Sequence, residues 1–555
     1  MEQHRVLLAI ALSFLVFFIW SIFFVKEPTR MAPEAHQEIQ AEQEKPHEIE
    51  NETVDTSEKQ PAPAIEEAPI NPNTESGSFR IINVETPLYD VKISEKEAAL
   101  TSFLLKKYRE GVEKNSPLKE LISDKNKKGN AIIGFVNNTI PDLSSAVFRA
   151  DTQRETLEVT QPDTVIAFRW NSAQGIQIVK KFHFSPDSYL VKMSVTVKNG
   201  SVNDFNGQLF TEIFGSVPEG RQTYGFQGPS GLIDGKLEQV KIKKLEEKSG
   251  YSGNVQWVSV ESRYFMQTLI PDPVLEGTMQ LATQGEMIVN RLVQPPINIP
   301  AEKEKRFEYN LFFGPKNWDL LKKIGYHLDK AIHFGMFDFI AKPCLWFMNQ
   351  IHGIIPNYGF AIIILTVITK LILWPLGTKS YKSMNEMKRL QPLMSEIREK
   401  YKDDKKQMNQ EMMALYKTYK INPMGGCLPM ILQIPVFFAL YRMLYQAIEL
   451  RHAPFLLWIN DLSAPDRLLR FDFAIPFMQP PYGIPVLTII MGITMLLQQK
   501  MSPPPGDPTQ AKMMMIMPLV FTFIFINFSS GLVLYWLTNN ILSISQQYYI
   551  QKKYA

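Results

Sequence analysis

The stretch Tyr358–Leu376, YGFAIIILTVITKLILWPL, constrains this chain more than any other: an apolar run of membrane-spanning length with one lysine inside it. As a helix rising about 1.5 Å per residue it crosses a hydrocarbon core, and Lys370 then lies roughly 9 Å inside the Leu376 end. A charge at a helix centre costs about 3 kcal/mol on insertion scales, so something must offset it: a headgroup, a partner or a water-filled cavity. Thr366, four residues earlier on the same face, offers Lys370 a polar neighbour one turn deeper. Two readings stay open on this helix alone: a lysine snorkelling near a helix end, and a polar groove inside a helical bundle.

The 555 residues suffice for two or three domains, and 45% of them are hydrophobic. Mean hydropathy is slightly negative at -0.11, yet the apolar residues concentrate in the last two fifths and at the extreme N-terminus. A net charge of +3 supports no claim on nucleic acid, and no DNA partner is expected. The two cysteines, Cys344 and Cys427, fall on opposite sides of the membrane in the topology below, so no disulfide is expected. Neither has zinc-site spacing, and no metal or cofactor is implied.

Val6–Val25 is a second run of spanning length behind Arg5, with no small-residue cleavage site after it, and reads as an uncleaved anchor. Residues 26–78, rich in Glu, Pro, Gln and Ala, cannot bury enough surface to offset ordering entropy and read as a flexible acidic tether. From Phe79 to Trp318 the pattern is short strands. In Val191–Lys198 the residues Val191, Met193, Val195 and Val197 alternate with Lys192, Ser194, Thr196 and Lys198. Asn199-Gly200, Asn206-Gly207 and Asp234-Gly235 supply turn signals. A large antiparallel sandwich is expected, able to bind sugars or proteins and without a catalytic signature.

A charged helix near Trp318–Lys330 is followed by Ile332–Ile351, aromatic-rich but interrupted by His333, Asp338, Lys342 and Pro343. It reads as an amphipathic helix in the membrane interface, with Asp338 and Lys342 on one face. Residues 377–423 hold eleven Lys or Arg against six acidic residues, and apolar residues recur at three- and four-residue spacing, predicting two amphipathic helices joined near Asp403-Asp404. Gly425–Gln446 spans again with Gln433 and Pro435 at depth. Ile484–Met501 spans back. Lys512–Gln547 is too long for one span, and a break at Asn527–Gly531 gives two short ones and keeps Lys552 and Lys553 on the cytoplasmic side. That makes six spans with both termini inside.

These residues resemble the YidC/Oxa1/Alb3 membrane insertase family in its long Gram-negative form. The resemblance rests on Asn422-Pro-Met-Gly-Gly-Cys-Leu-Pro429 with Gln433 and Pro435, Gln410-Glu-Met-Met-Ala-Leu-Tyr416, Ala453-Pro-Phe-Leu-Leu-Trp458 with Asp461-Leu-Ser463, Gln499-Lys-Met-Ser-Pro503 and Ser530-Gly-Leu-Val-Leu-Tyr535. In the N-terminal half it rests on Trp257-Val-Ser-Val-Glu-Ser-Arg-Tyr-Phe265 and Gly314-Pro-Lys316.

The resemblance implies an inner-membrane, multi-pass insertase and chaperone with no enzymatic activity. Its parts would be an anchor at 1–25, the tether at 26–78, a periplasmic antiparallel β-supersandwich at 79–318 and a connector with the interfacial helix at 319–355. An α-helical insertase core at 356–547 follows, with spans at 356–376, 424–446, 484–501, 512–528 and 532–547 around the hairpin 377–423, and a cytoplasmic tail at 548–555. A hydrophilic groove open to the cytoplasm would be lined by Lys370, Thr366, Gln433 and Trp536, with lysine standing where arginine is usual. A client helix would slide along Ile434, Pro435, Phe437, Ile524 and Phe525, while Lys552 and Lys553 touch the ribosome weakly. The implied partners are nascent membrane proteins, the Sec translocon, the ribosome and membrane lipids, around a monomer. A polytopic transporter, or an envelope assembly factor whose β-domain carries the function, is the alternative.

Overall fold

The computed structural model describes residues 79–122, 128–217, 225–245, 248–419, 428–502 and 508–553. The expected anchor, the tether, Cys427 and the start of the Asn422–Pro429 motif lie outside these residues.

The first half is strand. One sheet holds thirteen strands, running from Ile132–Phe135 through Leu209–Ser216, Met287–Val293, Leu275–Gln284 and Gly250–Glu261. It continues through Phe265–Asp272, Glu304–Pro315, Leu190–Asn199, Ile176–Phe184 and Thr164–Asn171 to Arg149–Ala150, with Gly228–Ile233 and Lys236–Gln239 branching off from Gly250–Glu261. The alternation in Leu190–Asn199 appears as expected: Val191, Met193, Val195 and Val197 are buried, Lys192 and Lys198 exposed. Ser194 departs from it, being buried under the neighbouring strands. A second sheet has five strands, and in it Ile81–Glu85 pairs parallel with Thr156–Glu158, so the pairing is not wholly antiparallel.

Of the three turn signals, Asp234-Gly235 closes a two-residue hairpin with φ of 50° and 73°, the mirror-image turn that suits strand twist. Asn206-Gly207 is no turn; it lies in a short strand paired with Ile297–Ile299. Asn199 ends its strand and uses its amide to hold the carbonyls of Asn203 and Ile299. Beneath the sheets the fully buried Lys180 donates to the carbonyls of Ala98 (2.8 Å) and Ala131 (2.6 Å). Both acceptors sit in left-handed backbone, so the amine holds two strained loops together. Burial lowers its pKa to about 7, with Glu97 working the other way.

The second half is helical: α1 Trp318–Ile324, α2 Asp338–Ile354, α3 Tyr358–Arg389, α4 Gln391–Lys400, α5 Lys405–Thr418, α6 Leu428–Gln446, α7 Val486–Met501, α8 Pro508–Phe525 and α9 Ser530–Lys553. The charged helix is shorter than expected, stopping where Gly325 turns to a φ of 90°. In α2 the face Ala341, Leu345, Met348 and Ile351 is buried, while Phe339 and Trp346 are exposed. Asp338 meets Lys342 at 3.3 Å and His333 at 2.7 Å.

Asn357 caps α3 by accepting from the N–H groups of Gly359 and Phe360. The helix runs past Leu376 to Arg389 without a break, so the expected boundary there is only a change of composition. Among the described residues α3 alone is long and apolar enough to cross a membrane; Val486–Met501 and Met514–Phe525 are shorter apolar helices. Asp404 caps α5, as the expected joint requires. The break between α8 and α9, residues 526–529, overlaps the expected Asn527–Gly531 window, and α9 extends to Lys553 rather than ending at Gln547.

Sheets and helices meet at a polar joint. Arg263 donates to the Tyr445 carbonyl (2.8 Å) with its guanidinium 3.6 Å from the Tyr445 ring centre. Arg451 reaches the carbonyls of Arg109 and Glu110, and Asn317, the cap of α1, donates to Glu449 (2.8 Å). Burial of Glu449 raises its pKa to about 7, Asp319 nearby adding to the effect.

Because the folded value lies above the usual one of 4.5, the native state holds more protons than the unfolded chain between pH 4.5 and 7, and stability falls as pH rises through that window. The shift corresponds to about 3 kcal/mol. Glu449→Gln should therefore flatten the decline of melting temperature between pH 5 and pH 8 in the detergent-solubilised protein. An unchanged pH slope in the variant rules out Glu449 as its source.

Candidate functional site

Lys370, Gln433 and Trp536 come together on three helices, and α9 supplies the partners that join them. The Lys370 amine donates to Ser543 Oγ (2.6 Å), and that hydroxyl donates to the Asn539 carbonyl one turn back (2.7 Å). From α6, Gln433 Nε2 donates to Asn539 Oδ1 (2.9 Å). A continuous polar seam thus runs from α3 across α9 to α6. On the other side Asn540 Nδ2 reaches Thr494 Oγ1 on α7 at 3.3 Å. Toward the Arg389 end of α3, Gln546 Nε2 donates to the Trp374 carbonyl (3.1 Å). Beyond it lies a small cavity lined by Tyr381, Met384, Asn385, Lys388, Gln547 and Gln551. The side chain of Gln547 is buried there, with neither amide atom hydrogen-bonded among the described residues.

A half-buried ammonium on a hydroxyl is neither free in hydrocarbon nor fully neutralised: no carboxylate is within ion-pair distance of Lys370 among the described residues. Such a site attracts an anion while its hydrogen-bonded neighbours limit the desolvation cost. Thr366 does not join it. Its hydroxyl donates to the Ile362 carbonyl of its own helix (2.6 Å) and the side chain is buried, so it packs the α3 interior instead of lining a groove.

Next to the polar seam lies an aromatic cluster. The Trp536 ring stands edge-on to Phe437 (4.6 Å between centres) and Phe525 (4.8 Å). Phe525 is buried within it, against Phe521 and Phe528, and so is not the open sliding surface expected of it. Ile434 and Ile524 are exposed, and Pro435 and Phe437 half-buried. Lys552 and Lys553 end α9 exposed.

The residues the sequence reading missed are Asn539, Asn540, Ser543, Gln546 and Gln547. Their signal was present as a three- and four-residue polar spacing below Trp536, which places them on adjoining strips of one helix.

Two family models match the chain. The 60Kd inner membrane protein model covers residues 350–555, and the YidC periplasmic domain model covers residues 81–347. The membrane protein insertase YidC of Syntrophus aciditrophicus is 43% identical over 477 residues, covering 85% of each chain. That of Maridesulfovibrio salexigens is 38% identical over 575 residues, covering 100% of this chain and 99% of the relative. A crystal structure described as an active YidC insertase with its first transmembrane domain resolved aligns with 85% of this chain and 93% of its own, at 18% identity and a TM-score of 0.38.

Proposed function

The chain belongs to the YidC family of membrane protein insertases, and from that premise we propose that its polar seam receives the hydrophilic tail of a nascent membrane protein. It is a membrane protein and an insertase, not an enzyme. The carrying observation is the Lys370–Ser543–Asn539–Gln433 chain, which ties a charge in the apolar helix α3 to polar groups on two others.

An acidic tail entering the seam exchanges water for Lys370 and the amides of Gln433 and Asn539, which shortens the dry distance left to cross. The client's apolar segment then leaves along the exposed Ile434 and Ile524 and the half-buried Pro435 and Phe437 toward lipid. Burial of that segment, at about 25 cal/mol per Å² of apolar area, supplies the drive without nucleotide.

The proposed topology has six spans: the N-terminal anchor, then α3, α6, α7, α8 and α9. Both termini and the hairpin of α4 and α5 are cytoplasmic, and the strand-rich half is a periplasmic supersandwich. The domain boundaries follow the same division: 1–25, 26–78, 79–318, 319–355, 356–547 and 548–555. In this topology α2 lies in the outer interface with Phe339 and Trp346 toward lipid. Lys552 and Lys553 offer a weak electrostatic contact to the ribosome, and the Sec translocon is a further partner of a monomeric unit.

The test is photo-crosslinking with a probe placed singly at Gln433, Phe437, Ile524 and Val202, against a stalled nascent chain bearing a short acidic tail. Adducts are expected at 433, 437 and 524 and none at 202. Adducts confined to the strand-rich half would overturn the seam as the client site and favour an assembly factor acting through its β-domain.

A further inference from the structure

The segment between α6 and α7 carries a combination that a water-facing loop does not need. Leu457, Leu469 and Phe477 hold left-handed φ values of 56°, 49° and 66° and are 90, 70 and 85% exposed. Left-handed backbone is unfavourable for a non-glycine residue, and an apolar side chain in water gains nothing to offset it. Glycine or asparagine would avoid both costs. Phe473, also exposed, stacks on Phe471 with ring centres 4.2 Å apart. Strain combined with outward apolar groups points to a function at this surface.

The loop is firmly held. Arg467, buried, donates to the carbonyls of Pro481 and Ile526, each at 2.8 Å. Asn527, in the turn between α8 and α9, donates to the Phe477 carbonyl (2.7 Å) and accepts from the Gln479 N–H (2.8 Å). Trp458 Nε1 donates to Asp466, whose other oxygen accepts from the Leu487 N–H at the start of α7. Phe477 is therefore fixed beside the end of α8, whose Phe523 and Ile524 are exposed, so Phe477 continues that apolar face.

Length supplies a second argument. The sixteen residues of α7 rise about 24 Å and the eighteen of α8 about 27 Å, against a hydrocarbon thickness of about 30 Å. Both helices fall short, and rigid apolar side chains at their common end add height where it is missing. Arg470 and Asp472, exposed between the apolar residues, have charges suited to headgroups.

We propose that this loop is a membrane-seated element: Leu457, Leu469, Phe473 and Phe477 insert among the acyl chains of the leaflet on the sheet side of the bundle. The occupant of the surface is lipid, and the inference rests on α7 and α8 crossing the membrane as described above. The loop then pins the outer end of the short helices to the bilayer and supplies apolar height that they lack.

The test uses the full chain in a Cys344→Ser, Cys427→Ser background with an environment-sensitive fluorophore at Leu469→Cys, Phe477→Cys, Ile524→Cys or Val202→Cys. The labelled proteins are reconstituted into vesicles with or without phospholipid brominated on its acyl chains. Positions 469, 477 and 524 should show blue-shifted emission and about twofold or greater quenching by bromolipid, with position 202 unaffected, as for side chains seated in the hydrocarbon boundary.

Quenching at 524 alone overturns the proposal and leaves the spanning helices intact, whereas no quenching at any position overturns both. A blue shift at 469 and 477 without quenching means that protein covers the loop, and that outcome also overturns it. Loss of the shift on diluting protein in lipid then identifies the cover as a second copy.

Discussion

Lys370→Ala should lower insertion of a single-span client with a short acidic tail by about tenfold, while Lys370→Arg retains most of it, because tenfold corresponds to about 1.4 kcal/mol. Two opposite charges about 4 Å apart attract by about 1 kcal/mol in water and about 4 kcal/mol at an effective dielectric of 20, so a pair at the half-buried Lys370 falls between these. Arginine keeps the sign of the charge and has the reach to hold Ser543, the hydroxyl that takes the lysine amine at 2.6 Å. Ser543→Ala should cost less than Lys370→Ala, since it leaves the charge and removes only the group that aims it. A client with a neutral tail of equal length should be nearly indifferent to all three changes. The measurement is protease protection of the tail in proteoliposomes. Equal insertion of the acidic tail by wild type, Lys370→Ala and Lys370→Arg would refute the electrostatic reading.

The contrast between Lys370 and Thr366 shows where sequence reasoning succeeds and where it stops. A lone lysine in an apolar run demands a partner, and that demand is local; which atom answers is not. The answer came from Ser543, 173 residues away, in a helix whose polar residues look ordinary when counted along the chain. Thr366 shared the predicted face with Lys370, yet a threonine in a helix can satisfy its hydroxyl on the carbonyl four residues back, and this one does so at Ile362.

Phe525 is an expected client contact, but packing between helices competes for such side chains, and Trp536 holds it. Among the strands, the alternation from Val191 to Val197 was legible because one face is buried, and Asp234-Gly235 because its turn needs two left-handed residues. Asn206-Gly207 carries the same letters as a turn, but pairing with Ile297–Ile299, about ninety residues on, overrides local preference. The parallel pairing of Ile81–Glu85 with Thr156–Glu158 is equally non-local.

Lys316→Met should destabilise the strand-rich half by about 3–5 kcal/mol, the usual cost of leaving one member of a buried ion pair alone. Lys316 Nζ lies 2.7 Å from Glu261 Oε2, both side chains are buried, and Ser230 donates to the other Glu261 oxygen. The pair stands at the root of two of the three connections at the joint. Glu261 precedes Arg263, which grips Tyr445, and Lys316 precedes Asn317, which caps α1 and holds Glu449. Losing the lysine strands a carboxylate in the protein interior and loosens both connections at once. The double variant Glu261→Leu, Lys316→Met removes the stranded charge and should recover more than half of the loss, because apolar replacement of a whole buried pair is often close to neutral. Thermal unfolding of the full chain followed by limited proteolysis reads both effects, and a double variant no more stable than Lys316→Met would show that the methylene packing of Lys316, not its charge, secures the site. Lys370-dependent insertion should persist in the double variant if the seam works independently of how tightly the sheets are joined to the helices. Its loss in a well-folded double variant would mean that the joint itself positions α6, the helix that carries both Tyr445 and Gln433.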